Sequence, residues 1–355
     1  MKSALIEPEM IFMIEKALKA ITNEDFLAAI TTAILLIILG FALQKMKLFN
    51  EHSKKTVTTI LMKIALPCLA FVGFLIDFNT QTLQESLWII LFTVIGYLLF
   101  LGIGRLLYMK KPHDTASLYS ILITFGQITL FGLPLAKAIY QENGILVGNM
   151  MSIPFRVFVY IYCFLAVSGI KFEKETISST LKNVFCNPII IAMLCSILLW
   201  VLQPIMPKVT INEVQYSIFR FDKTVPWIYK TLNTVANLTM PLSMLLVGIT
   251  LGEADIKTAF SNKTAWLISV FRSVISPLVL IGIIYVFVLL FKLTLTKEVI
   301  ASIVICFAAP VSAVVNTFCI HYNREPTLSS NSCFLSTLLY IVFIPFIIVL
   351  VELIF

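Results

Sequence analysis

Residues 124–140 read TFGQITLFGLPLAKAIY, and residues 303–322 read IVICFAAPVSAVVNTFCIHY. Both are strongly apolar, and each carries a proline near its middle, Pro134 and Pro310. A second pair, Pro67 in ILMKIALPCLAF and Pro241 in TVANLTMPLSML, is spaced like the first, so the two halves of the chain repeat at roughly 175 residues. Proline removes a helical hydrogen bond and its ring clashes with the preceding turn. Broken backbone at membrane depth is tolerated only inside protein or beside a water-filled cavity. Matched interruptions in two halves of a membrane protein point to the binding site of a carrier.

Working outward, the composition is that of an integral membrane protein. Of 355 residues, 59% are hydrophobic and 13% charged, where a soluble domain carries about 25% charged residues. Ten segments are long and apolar enough to span: Phe26–Gln44, Lys55–Ile76, Leu87–Tyr108, Ala116–Tyr140, Ile145–Ser168, Asn183–Gln203, Tyr229–Leu251, Ala265–Phe291, Val299–Tyr322 and Leu328–Phe355. The fourth and ninth are expected to be broken in mid-span. Five spans per half is an odd number, so the second half must enter the membrane in the opposite direction. The expected fold is all-α, ten transmembrane helices in a 5+5 inverted repeat.

The net charge of +7 is no nucleic-acid signal, because the basic residues lie mostly between spans rather than in a stripe interleaved with aromatics. Lys45, Lys47, Lys54 and Lys55 follow the first span, Arg105, Lys110 and Lys111 the third, and Lys171, Lys174 and Lys182 the fifth. The positive-inside rule makes these loops cytoplasmic and both termini extracytoplasmic, in a multi-pass protein of the cell membrane. Lys208, Arg220 and Lys223 in the long loop 204–228 run against that trend. Residues 1–25 hold Glu7, Glu9, Glu15, Glu24 and Asp25, which argues against a cleaved signal peptide. A short helix lying in the membrane interface and a frayed extension are the two readings of this segment.

Pro134 and Pro310 are each expected to open a second half-helix, since proline is favoured at the first helical position. Two such N-termini meeting at the midplane would present free N–H groups and positive dipole ends to a carboxylate. Gln127, Thr129, Ser312 and Asn316 flank the crossing as neutral candidate ligands. Lys63, Arg156 and Arg272 lie in or near spans as candidate charge partners, and intramembrane charge marks function by default. No Asp or Glu lies deep in a span, which disfavours an exchanger that needs acidic relays. Seven scattered cysteines without a CxxC pair read as packing residues, and neither a metal site nor a cofactor is expected. His52, His113 and His321 are dispersed, and HExxH and GxSxG are absent, so no catalytic residues are assigned and an enzyme is disfavoured.

The stretch Gln127–Tyr140, with Gly132, Pro134 and Leu135, resembles the fourth-helix signature of the auxin efflux carrier family. The span around Pro310, Leu66-Pro67-Cys68, Asn187-Pro188, and Pro241 with Gly248 and Gly252 fit the same family in the same order. The resemblance covers nearly all of the chain from Phe26 onward and suggests a prokaryotic-type member without a long central loop. It implies helices four and nine crossing at their prolines, in a bile-acid-symporter-like, NhaA-like architecture. It also implies a scaffold from 26–76 and 183–251, and a transport domain from 87–168 and 265–355 that moves like an elevator. The implied function is efflux of a small organic anion such as a mono- or dicarboxylate, by a homodimer in the lipid bilayer. Gln127 stands where the family usually carries Asn, and Thr129 where prokaryotic-type members often carry Gly. A sodium-coupled symporter of the bile-acid type and a receptor without transport are the alternatives.

Overall fold

The structure is a computed structural model that describes residues 24–169, 186–253, 255–293 and 295–355. The segment before residue 24, read as an interfacial helix or a frayed extension, and the basic loop with Lys171, Lys174 and Lys182, lie outside the described residues. The chain runs through α1 (Glu24–Lys45), α2 (Glu51–Ile60), α3 (Leu66–Val72), α4 (Thr80–Leu107), α5 (His113–Thr124), α6 (Leu133–Val157) and α7 (Phe164–Ser168). It continues through α8 (Pro188–Leu202), a hairpin of β1 (Lys208–Ile211) and β2 (Val214–Ser217), α9 (Phe221–Thr224), α10 (Pro226–Asn237) and α11 (Thr239–Glu253). Last come α12 (Ile256–Ser261), α13 (Lys263–Val270), α14 (Ser276–Phe291), α15 (Lys297–Ala308), α16 (Ala313–His321) and α17 (Pro326–Ile354).

Eight described helices are long and apolar enough to cross a membrane. The difference from the ten expected segments has two physical causes. The ninth is broken into α15 and α16, each too short to span alone. In the fourth, the half after the break is joined to the fifth across a tight turn, so the stretch Ile128–Ser168 holds both. That stretch is itself turned at Gln141, whose φ of 48° and ψ of −116° are not helical. Gly144 packs directly on the Ala136 backbone and Gly148 on Leu133, so the chain folds back on itself there.

Prolines shape three helices through one device. Each of Pro67, Pro134 and Pro277 is the second residue of a helix that follows a π-helical turn: Leu61–Ala65, Ile128–Gly132 and Phe271–Ile275. The residue before each proline donates its N–H five residues back, Leu66 to Leu61, Leu133 to Ile128 and Ser276 to Phe271. A proline inside a helix clashes with the carbonyl four residues before it, and the wider π turn makes room.

Elsewhere packing relies on close backbone approach. Gly40 of α1 faces Leu245 and Gly248 of α11, and Gly248 faces Ile37, so a Cβ at either would collide with the partner's backbone. Small residues allow such contact where lipid offers no hydrophobic drive to helix association. The end of α3 is fastened to α8: Ser196 donates to the Phe71 carbonyl, and Gln203 Nε2 to the Ile76 carbonyl at 2.8 Å. The long loop departs from the all-α expectation with its hairpin, whose Asn212 and Glu213 both take positive φ (48° and 67°). Two such residues fit the right-handed twist of the flanking strands. Arg220 beyond the hairpin is buried and paired with Asp77 and Asp222, so it counts little as a free loop charge.

Candidate functional site

α5 stops at Thr124 and α15 at Ala308, and the two interrupted backbones cross just beyond. Gly126 and Val311 form an isolated antiparallel bridge. The Gln127 N–H donates to the Pro310 carbonyl at 2.7 Å, and the Ser312 N–H to the Phe125 carbonyl at 2.9 Å. α15 ends there because the residue before a proline is driven out of the helical region, and Ala309 takes φ −47° and ψ 144°. Gly126 is required by space, since a Cβ would run into the Arg272 guanidinium and the Ala309 carbonyl.

The crossing differs from the expected one in its use of proline. Pro310 lies within the extended segment, before Ser312, the residue that leads into α16. Pro134 lies beyond the crossing altogether: helix resumes at Ile128, and Gly126 rather than Pro134 meets the other strand. Both resumed helices nevertheless start at the crossing, and neither Gln127 nor Ser312 caps its own helix with a side-chain hydrogen bond. Their first N–H groups therefore have no intrahelical partner.

Arg272 is fully buried beneath the crossing, on the π turn before α14. Its Nε donates to the Ala309 carbonyl at 2.9 Å and one terminal nitrogen to the Thr124 carbonyl at 2.6 Å. The other terminal nitrogen donates to the Phe307 carbonyl, and the Phe307 ring lies 5.1 Å from the guanidinium carbon. These carbonyls end α5 and α15, where unsatisfied acceptors and negative dipole ends gather. All three guanidinium nitrogens are thus committed to backbone, which removes Arg272 from the set of charge partners open to a ligand.

Beside the crossing is a cavity of ≈ 80 Å³. Its polar lining comes from Gln127, Thr129, Arg156, Tyr160, Asn187 and Ser312. Four of the residues singled out from sequence meet here: Gln127, Thr129, Ser312 and Arg156. Arg156 is only 4% exposed, yet its Nε and one terminal nitrogen have no hydrogen-bond partner among the described residues. The Ser312 hydroxyl is likewise buried without a partner. Asn187 spends its side-chain oxygen on the Ile189 N–H at 3.0 Å, starting α8.

The other candidates fall elsewhere. Asn316, one turn along α16, accepts from the Ser330 hydroxyl of α17 at 3.2 Å. Lys63 is exposed and lines a separate cavity of ≈ 490 Å³ with Lys54, Lys55 and Glu253. Asn187 and Tyr160 were not singled out as ligands. Asn187 had a signal, an Asn-Pro helix start, whereas Tyr160 had none, because the π turn Phe158–Cys163 that carries it has no sequence mark.

The chain is similar in sequence to proteins described as membrane transporters. An uncharacterized transporter of Methanocaldococcus jannaschii is 24% identical over 250 residues, which cover 69% of this chain and 74% of that protein. The sequence profile of the family described as Membrane transport protein matches residues 25–348. With nearly the whole chain matched, crossed helix interruptions inside an apolar bundle and a partly unpaired cavity beside them, this protein belongs to the Mem_trans family of membrane transport proteins, the auxin efflux carrier family, and is a transporter rather than an enzyme.

Proposed function

We propose that the protein is a secondary carrier of a small organic anion, bound in the cavity between Gln127, Thr129, Ser312 and Arg156. The observation that carries this reading is the Arg156 guanidinium, 4% exposed and incompletely paired. Burying an ion without a partner costs several kcal/mol. A cation left open toward a cavity at membrane depth is accounted for when a mobile anion completes it.

In this reading the crossing segments belong to ten spans arranged as a 5+5 inverted repeat. Residues 26–76 and 183–251 form the scaffold, and 87–168 and 265–355 the moving domain. Support comes from the cavity lining, to which Met62, Asn187 and Ile189 contribute from the first group and the other residues from the second. A ligand at such a boundary is passed across the membrane when one group slides against the other. In the same reading both termini are extracytoplasmic, which the basic loops support.

The test is uptake of labelled mono- and dicarboxylates by proteoliposomes, with and without sodium, together with thermal stabilisation of the purified protein, since a ligand of the native state raises its stability. Saturable uptake of an acid, reduced in Gln127→Ala, is the expected result. Uptake only of neutral or cationic solutes would overturn the reading.

A further inference from the structure

We infer that the cavity is built for a small monocarboxylate and that Arg156 sets this specificity. The inference rests on the proposed carrier function and narrows its substrate class. Two quantities decide it, charge and size.

Arg156 is the one Lys, Arg or His among the described residues that line this cavity. Arg272 holds a carbonyl with each of its nitrogens and does not line the cavity, and Lys63 lines the other cavity. A single guanidinium matches one carboxylate through paired N–H donors. A second carboxylate would meet only neutral groups. The helix N-termini beside it offer only fractional positive charge, which does not offset the cost of a buried charge without a partner. A dianion is therefore rejected by lack of a second cation, although its volume differs little from that of a monoanion.

Size removes the large acids. Ligand pockets for drug-sized molecules run from about 300 to 1,000 Å³, and this cavity measures ≈ 80 Å³. That is room for a few heavy atoms beyond the carboxylate and not for an aromatic double ring. Met62, Leu130, Phe155, Ile189 and Val314 give the remainder an apolar wall. The free amide of Gln127 and the hydroxyls of Thr129 and Ser312 can take up one hydroxyl or keto oxygen. A two- to four-carbon hydroxy or keto acid combines these features.

The experiment uses full-length protein in proteoliposomes and labelled lactate, competed by glycolate, malonate, malate, indole acetate and the neutral isostere lactamide. Lactate flux should be saturable and blocked by glycolate, with malonate, malate and indole acetate weaker by about 30-fold or more. Arg156→Gln should weaken lactate by a similar factor and erase the preference for lactate over lactamide. A cooperative thermal transition in detergent reports that the variant is folded, and Arg156→Lys should recover part of the loss. Malonate or indole acetate competing as well as lactate, or flux of malonate without lactate, would overturn this inference while leaving an organic-anion carrier intact. Lactate affinity unchanged in Arg156→Gln would overturn the role of Arg156. Flux of none of the acids would overturn the carrier reading itself.

Discussion

At the scale of single residues, two buried arginines with similar sequence settings have opposite fates. Arg272 spends every nitrogen on carbonyls that end α5 and α15, while Arg156 keeps two nitrogens unpaired against a cavity. Arg272→Met should therefore act on stability. It orphans three acceptors, each worth about 1–3 kcal/mol when buried, and a drop in thermal midpoint in detergent will record it, with Arg272→Lys in between. Gln127→Ala should act on transport, raising the apparent KM by roughly tenfold, the weight of a polar contact to a charged ligand. Asn316→Ala should spare affinity, because its oxygen is taken by Ser330 rather than turned to the cavity. Equal loss of lactate affinity in both variants would show that Asn316 reaches the ligand. From sequence, Gln127 and Asn316 were neutral groups flanking a break and Arg156 and Arg272 were charges in or near spans, and the partners that separate the members of each pair come from distant segments.

At the scale of elements, the π turns tie proline to cavity geometry. The turn Ile128–Gly132 carries Thr129 and Leu130 into the cavity, and it is there because Pro134 follows it. Pro134→Ala relieves the clash that widens the helix. The chain from Ile128 is then free to wind as regular α-helix, which turns Thr129 away by a fraction of a turn. The expected outcome is unchanged or higher thermal stability with lactate affinity weaker by about tenfold, the effect of a small misplacement on a polar site. Wild-type affinity in this variant would mean that packing rather than proline holds the turn. The contact of α1 with α11 is tested differently. Gly248→Leu forces a side chain into the Ile37 backbone and should cost about 1–3 kcal/mol, as overpacking does, read as loss of monodisperse protein or of thermal midpoint. Proline and glycine positions were legible in the sequence, whereas the choice between kink and π turn was not, since both relieve the same clash.

At the scale of the whole molecule, the proposed motion predicts contacts that must break. Lys137 of α6 donates to Asn237 of α10 at 2.8 Å, beside a cavity of ≈ 240 Å³ that includes Gln141, Glu142 and Tyr229. In the elevator reading α6 belongs to the moving domain and α10 to the scaffold. A bifunctional thiol reagent across Lys137→Cys and Asn237→Cys should abolish flux, and each single variant treated alike should retain it. Flux that persists in the cross-linked protein would rule out sliding between α6 and α10. Apolar spans, the repeat of prolines at similar spacing and the polar residues near the breaks were set by the sequence alone, because lipid demands long apolar stretches and leaves interruptions conspicuous. Where the strands cross, which arginine caps the helix ends and which one faces the cavity were decided only by tertiary structure. Those outcomes depend on which carbonyls the fold leaves unpaired within reach of each guanidinium, and local sequence does not encode that distance.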